Sequence, residues 1–192
     1  MQIADTAERV RDLLKGINLY LIGMMGSGKT TVGRELAAKM GYGFCDTDAV
    51  IEQVAHQSIN EIFQSDGEEG FRELESKVLG ELAAFTRLAI ATGGGIVLRR
   101  ENWSYLQQGL VVWLDVPVEI LLSRLASDTS RPLLQVSDRE SELKTRLDQR
   151  KPLYAQADLQ IAVTKDETAE EIAARIIETI PTVLKPPTHP EN

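Results

Sequence analysis

The run Gly23-Met24-Met25-Gly26-Ser27-Gly28-Lys29-Thr30 constrains this chain more than any other stretch. It satisfies G-x-x-x-x-G-K-[ST], and its flanks suit the pattern. The apolar residues 17–22 before it read as a strand, and residues 32–40 after it read as a helix. Glycines let the backbone curl with φ > 0, so main-chain N–H groups can point inward around an anion. The helix N-terminus adds unpaired donors and a partial positive charge. This order predicts a loop in which Lys29 reaches the β- and γ-phosphates of a nucleoside triphosphate and the Thr30 hydroxyl ligates Mg²⁺.

The rest of the chain alternates strand and helix patterns. Residues 1–16 carry Ala7, Val10, Leu13 and Leu14 at helical spacing and read as a helical extension. One domain is expected over 17–180. After the first helix stops at Gly41, a second strand ends in Asp46-Thr47-Asp48, and a helix over about 49–56 follows. Ser58-Ile59-Asn60-Glu61 is a capping box for a short helix, with Gly67 and Gly70 as its breakers. Phe71, Leu74, Val78, Leu82 and Phe85 then form one helical stripe, read as core. Strands are expected at 88–92, 110–114 and 158–163, and helices at 100–107, 118–126, 139–155 and 168–180. Pro117 is placed at the first helical position, and Pro152 is expected to bend or end its helix. Residues 127–138 read as a mobile lid, and 181–192, rich in proline, as a disordered tail. Five strands alternating with helices predict an α/β domain of three layers, α/β/α, around a parallel sheet.

Bulk properties narrow the function classes. A formal charge of −8 and a pI near 4.9 argue against a sequence-independent grip on nucleic acid, which needs a basic face. The single cysteine, Cys45, excludes an internal disulfide framework and reads as a small hydrophobe at a strand end. His56 and His189 lie far apart in sequence and suit solvated or capping roles. No apolar run approaches the roughly 18 residues of a membrane span. Residues 1–9 lack the pattern of a signal peptide, and the expected location is the cytoplasm.

Ligands of open α/β sheets sit beyond the carboxyl ends of the strands. The glycine-rich loop, Asp46-Thr47-Asp48 and Gly93-Gly94-Gly95 each follow a predicted strand at that end, so three signals converge on one crevice. An extended D-x-D would put both carboxylates on one side of the strand end, with helix capping as the competing reading. The chain has no N-K-x-D guanine-reading pattern and no hydrophobic run ending in Asp-Glu of the ATPase kind. Small-molecule kinases are the remaining large class.

Eight stretches, in order over about residues 17–165, resemble the shikimate kinase family. They are Gly23–Thr31, Asp46-Thr47-Asp48, Ser58-Ile59 with Ile62-Phe63, Gly67-Glu68, Phe71–Glu75, Gly93-Gly94-Gly95, Arg131-Pro132-Leu133-Leu134 and Arg150-Lys151-Pro152-Leu153-Tyr154. The resemblance implies the P-loop NTPase fold with a five-stranded parallel sheet and a mobile lid. It also implies transfer of the ATP γ-phosphoryl group to the 3-hydroxyl of shikimate, by a monomer using Mg²⁺.

By resemblance, ATP meets Gly26, Ser27, Gly28, Lys29, Thr30 and Thr31, with Arg131 closing from the lid and Arg124 packing near the adenine. Shikimate meets Asp48, Arg72, Gly93, Gly94, Gly95 and Arg150. Thr30 and Asp46 are the implied metal residues, and Lys29, Asp48 and Arg131 the implied catalytic ones. Guanidinium forks suit a carboxylate substrate, and glycines at 93–95 would allow close approach of main-chain N–H. Phe63, Phe71 and Glu75 line or brace the pocket in this reading, with core packing equally open for the phenylalanines. Thr164–Thr168 departs from the family, having neither the arginine nor the proline often found in its adenine-contacting segment. Two rivals follow from the residues: a kinase of another small hydroxy acid such as gluconate, and a nucleotide-binding regulator without turnover.

Overall fold

A computed structural model of the chain describes residues 2–126 and 138–184. Five short strands, β1 (Leu19–Ile22), β2 (Gly43–Asp46), β3 (Leu88–Ala91), β4 (Leu110–Asp115) and β5 (Leu159–Ala162), form one sheet in the order β2-β3-β1-β4-β5. All four pairings are parallel, with Leu21 opposite Ala91 on one side and Val112 on the other. The helices are α1 (Gln2–Leu14), α2 (Lys29–Met40), α3 (Thr47–Ala55), α4 (Ile59–Ser65), α5 (Gly67–Ala83), α6 (Arg100–Leu106), α7 (Val118–Leu125), α8 (Arg139–Tyr154) and α9 (Ala169–Val183).

Alternation along the central strands divides the core in two, because successive side chains of a strand point to opposite faces. Leu19 and Leu21 of β1 join Leu110, Val112 and Leu114 of β4 in one apolar cluster with residues of α1, α2, α7 and α9. Tyr20 and Ile22 join Val111 and Trp113 in the other, under α3–α6. This is the predicted three-layer order. The central strands are continuously apolar because both faces are covered. Ala7, Val10 and Leu14, each under 5% exposed, seat α1 in the first cluster.

Several expectations are corrected. Gly67, at φ 72°, stands where α4 gives way to α5 as expected, but Gly70 breaks nothing: it lies within α5, where a Cβ would fall 2.5 Å from the Asp66 Cβ. Phe85 leaves the predicted core stripe and is 62% exposed, because α5 ends at Ala83 before the stripe closes. Pro117 is the residue before α7, with ψ 146°, and Val118 takes the first helical position. Pro152 lies inside α8, and α9 runs through Pro181 to Val183, past the expected start of the tail. The lid at 127–137, Arg131 within it, and residues 185–192 lie outside the described residues.

Candidate active site

The connection after β1 turns on Gly23, Gly26 and Gly28, whose φ values are 142°, 76° and 92°. A Cβ on Gly23 would stand 2.7 Å from the Leu114 carbonyl oxygen, and one on Gly26 would stand 2.9 Å from Leu125. Gly28 caps α2, so Lys29 and Thr30 open the helix where its dipole is positive. Lys29, 8% exposed, donates from Nζ to the carbonyls of Gly23 and Met24, both at 2.9 Å. Its ammonium is held in the mouth of the loop. Arg124 of α7 donates to the Gly26 and Ser27 carbonyls at 3.3 Å. It lines a cavity of about 250 Å³ with Ser27, Gly28, Thr31 and Glu167, beside the segment 164–168.

Asp46 and Asp48 are not an extended pair. Asp46 ends β2 and caps α3, accepting the Asp48 N–H at 3.0 Å through Oδ1, while its Oδ2 accepts the Thr30 hydroxyl at 2.7 Å. Capping and contact with Thr30 are therefore both true of one carboxylate. Thr47 between them is fully buried and its hydroxyl accepts the Gly93 N–H at 3.0 Å, tying β2 to the turn after β3. Asp48, in the first turn of α3, faces a different space.

That space is a cavity of about 360 Å³ lined by Asp48, Phe63, Phe71, Arg72, Glu75, the three glycines 93–95 and Arg150, with Met25 joining it to the phosphate loop. Phe63 and Phe71 pack against each other in it, tilted by 31° with ring centroids 4.7 Å apart. Arg72, 6% exposed, spans Glu75 at 2.8 Å and Glu68 at 3.3 Å. Glu75 is fully buried, and that burial pushes its carboxyl above the usual glutamate range, with Arg72 pulling it back and Asp48 adding to the rise. Arg150 of α8 is 5% exposed and makes no ion pair among the described residues. Glu75 acts on Arg150 electrostatically without a direct ion pair, and a ligand carboxylate would supply a direct partner for this buried cation.

The glycines have a packing role that the sequence reading did not include. A Cβ on Gly93 would fall 2.5 Å from Glu75 Oε1 and 2.9 Å from Asp48 Oδ1, and one on Gly95 would fall within 2.4 Å of the Arg72 guanidinium. They make room for the chain's own charged side chains as well as for any ligand. Gly95→Ala is therefore expected to displace Arg72 and raise the KM for the acceptor about tenfold, with kcat less affected. Steady-state kinetics alongside a circular dichroism check of folding tests this.

Tyr154 has no role in the sequence reading beyond its place in a motif. It is fully buried, and its hydroxyl donates to the Gly94 carbonyl at 2.6 Å, beside Arg150 Nη1 at 3.2 Å from the same oxygen. Two donors on one carbonyl fix the tilt of that peptide. Asn102 and Trp103 hold the next turn through the Ile96 and Val97 carbonyls, at 2.8 and 3.3 Å. Only the spacing of Tyr154 from Arg150, one helical turn on the same face, hinted at it. Tyr154→Phe keeps the packing and is expected to raise the acceptor KM about fivefold, the effect of one lost positioning hydrogen bond. An unchanged KM would remove Tyr154 from the site.

A triphosphate loop beside a small pocket with buried cations and a carboxylate defines a P-loop kinase of a small molecule. The family model described as shikimate kinase matches residues 25–181. A shikimate kinase of Trichormus variabilis is 62% identical over 176 residues, 92% of this chain and 97% of that protein. The chain belongs to the shikimate kinase family. A solved shikimate kinase from Acinetobacter baumannii, in complex with shikimate, superposes with a TM-score of 0.86 at 41% identity, over 90% of this chain and 97% of its own. A gluconokinase from Sinorhizobium meliloti shares the fold at TM-score 0.57 and 19% identity, covering 88% of this chain and 94% of its own.

Proposed function

We propose that this chain transfers the γ-phosphoryl group of ATP to the 3-hydroxyl of shikimate, giving ADP and shikimate 3-phosphate on the route to chorismate and the aromatic amino acids. One observation carries the choice of acceptor: Arg150, 5% exposed and without an ion pair among the described residues, lines a cavity next to the phosphate loop. Its chemistry suits a ring acid of modest size. Arg72 joins Arg150 on the acceptor carboxylate, held in place by Glu75 and Glu68. The main-chain groups of Gly93, Gly94 and Gly95 and the carboxylate of Asp48 meet the ring hydroxyls.

Asp48 accepts a hydrogen bond from the attacking hydroxyl and aims its oxygen at the γ-phosphorus. In a loose transition state little proton removal is needed before the bond to the leaving oxygen weakens, so aiming carries most of the effect. Lys29 and the loop N–H groups hold the β- and γ-phosphates as charge moves toward the leaving oxygen. Arg131 completes this charge balance from the lid in the same reading, and Arg124 lies over the nucleotide side of the loop.

The Thr30 hydroxyl and Asp46 carboxylate, 2.7 Å apart at the edge of the phosphate loop, are hard oxygen donors fitted to Mg²⁺, which keeps several waters and prefers oxygen. When bound there, the ion neutralises phosphate charge. We assign the working form as a cytoplasmic monomer acting on shikimate and ATP, with neither nucleic acid nor membrane as partner. Among the described residues no helix is long and apolar enough to cross a membrane.

A panel assay of ADP release tests the acceptor. Shikimate is expected to stimulate release strongly over the ATP-only rate, and gluconate not at all. Stimulation by gluconate alone would overturn the choice, and no stimulation by any acid would favour a regulator without turnover.

A further inference from the structure

The acceptor pocket uses the carboxyl ends of the strands, and a second polar cavity lies at their amino ends. Three connections meet there: Lys15-Gly16 before β1, Gly41-Tyr42 before β2 and Arg87 before β3. They bound a space of about 360 Å³ lined by Arg11, Asp12, Lys15, Gly16, Gly41 and Arg87. Three cations face one carboxylate, Asp12, in a chain whose overall charge is −8. The C-termini of α1 and α2 end here and favour nearby positive charge, which accounts for cations in general but not for their arrangement.

Two features go beyond helix capping. Neither Lys15 nor Arg87 makes an ion pair among the described residues, and, while the left-handed backbone of Lys15 (φ 51°) ends α1, that of Arg87 (φ 59°) precedes a strand. Such conformations are uncommon for residues with long side chains. Beneath them Tyr42 is 8% exposed, and its hydroxyl has no hydrogen-bond partner among the described residues. Burial pushes its phenol pKa up while Arg87 and Arg11 pull it back, so the hydroxyl lies within the field of both guanidinium groups. Each guanidinium side chain also packs on a glycine: a Cβ on Gly41 would stand 3.4 Å from Arg11 Nη1, and one on Gly16 would stand 3.6 Å from Arg87 Nε. Glu8 touches Arg11 at 3.5 Å on the exposed side.

We propose that this cavity binds a phosphate-type oxyanion, free or as the phosphate of a small monoester, between Arg11, Lys15 and Arg87. Guanidinium forks match the tetrahedral oxygens, and Lys15 adds a point charge. The site is separate from the phosphate loop: α2 carries the loop at its first turn and this cavity past its last, about 18 Å away along the helix axis.

The test is a titration followed by amide NMR, on the full chain already saturated with ADP, Mg²⁺ and shikimate so that the active-site loop is filled. Inorganic phosphate is added in one arm, glycerol phosphate in a second, and chloride at matched ionic strength in a third. Saturable shifts at Gly16, Gly41, Tyr42 and Arg87 are expected with phosphate and absent with chloride. Arg87→Gln is expected to weaken the apparent affinity about fivefold or more, with kcat unchanged. Saturation by both phosphate probes assigns a site that accepts monoesters, whereas saturation by inorganic phosphate alone narrows the ligand to the free ion. A response matched by chloride, no saturation by about 20 mM of either phosphate, or equal affinity in Arg87→Gln would overturn the proposal.

Discussion

Lys29→Ala is expected to lower kcat by about 10²-fold or more while leaving the KM for shikimate within a few-fold, the pattern for loss of a group that acts on transition-state charge. The ammonium is positioned by the Gly23 and Met24 carbonyls at 2.9 Å and the Ser27 hydroxyl at 3.4 Å, and exchanging one of these contacts for a phosphate oxygen would bring its charge to the β–γ bridge. The acceptor pocket is reached through Met25 and does not include Lys29 in its lining. A variant that bound ADP normally and turned over at the parental rate would take Lys29 out of the chemistry. Loss of ADP binding together with kcat would place its effect on nucleotide binding as well.

Arg72→Ala is expected to raise the KM for shikimate by about 10²-fold, because one of two guanidinium contacts to the carboxylate is lost. A second effect comes through folding. Arg72 and fully buried Glu75 meet at 2.8 Å, and deleting one partner of a buried pair typically costs about 3–5 kcal/mol. The pH dependence follows in sign. Burial already raises the Glu75 carboxyl pKa, with Arg72 as the main opposing influence, so the variant raises it further. A carboxyl raised in the folded state contributes its stability in the protonated form, below the ordinary glutamate range, and loses it as pH rises through the raised value. The melting temperature of Arg72→Ala should therefore fall further below the parent at pH 8 than at pH 5. Adding Glu75→Gln should remove that pH dependence without restoring the KM. An unchanged shikimate affinity by calorimetry in a folded Arg72→Ala protein would show that the carboxylate binds elsewhere.

The alternation of strands and helices was readable because the central strands are apolar on both faces and some helices start on a capping box or stop at a glycine, as α4, α9 and α2 do. The glycine-rich loop between β1 and α2 was legible because its pattern answers to a turn with positive φ, although the room its glycines leave for Leu114 and Leu125 was not. Boundaries failed where tertiary packing decides them: Gly70 fits inside α5, and Pro181 sits inside a helix that continues past it. The family resemblance assigned Asp46 and Asp48 different roles, whereas the D-x-D spacing alone would have set both on one side of an extended strand end; their actual arrangement was not legible. It depends on Thr47 turning inward to accept the Gly93 N–H. The roles of Gly93 and Gly95 as room for Glu75, Asp48 and Arg72, and of Tyr154 as a donor to Gly94, arise from contacts between residues that are far apart in sequence. No periodicity encodes them. The basic cavity at the opposite end of the sheet was invisible for the same reason, its cations coming from α1 and from the turn before β3.

The central claim is that one crevice brings a triphosphate and a small ring acid together for direct transfer. Single-turnover reaction of the enzyme with ATP and shikimate, read by ³¹P NMR, tests it most directly. The account predicts one shikimate 3-phosphate formed for each ADP, with no burst of inorganic phosphate. ADP accompanied by inorganic phosphate, with no phosphorylated ring acid, would contradict it.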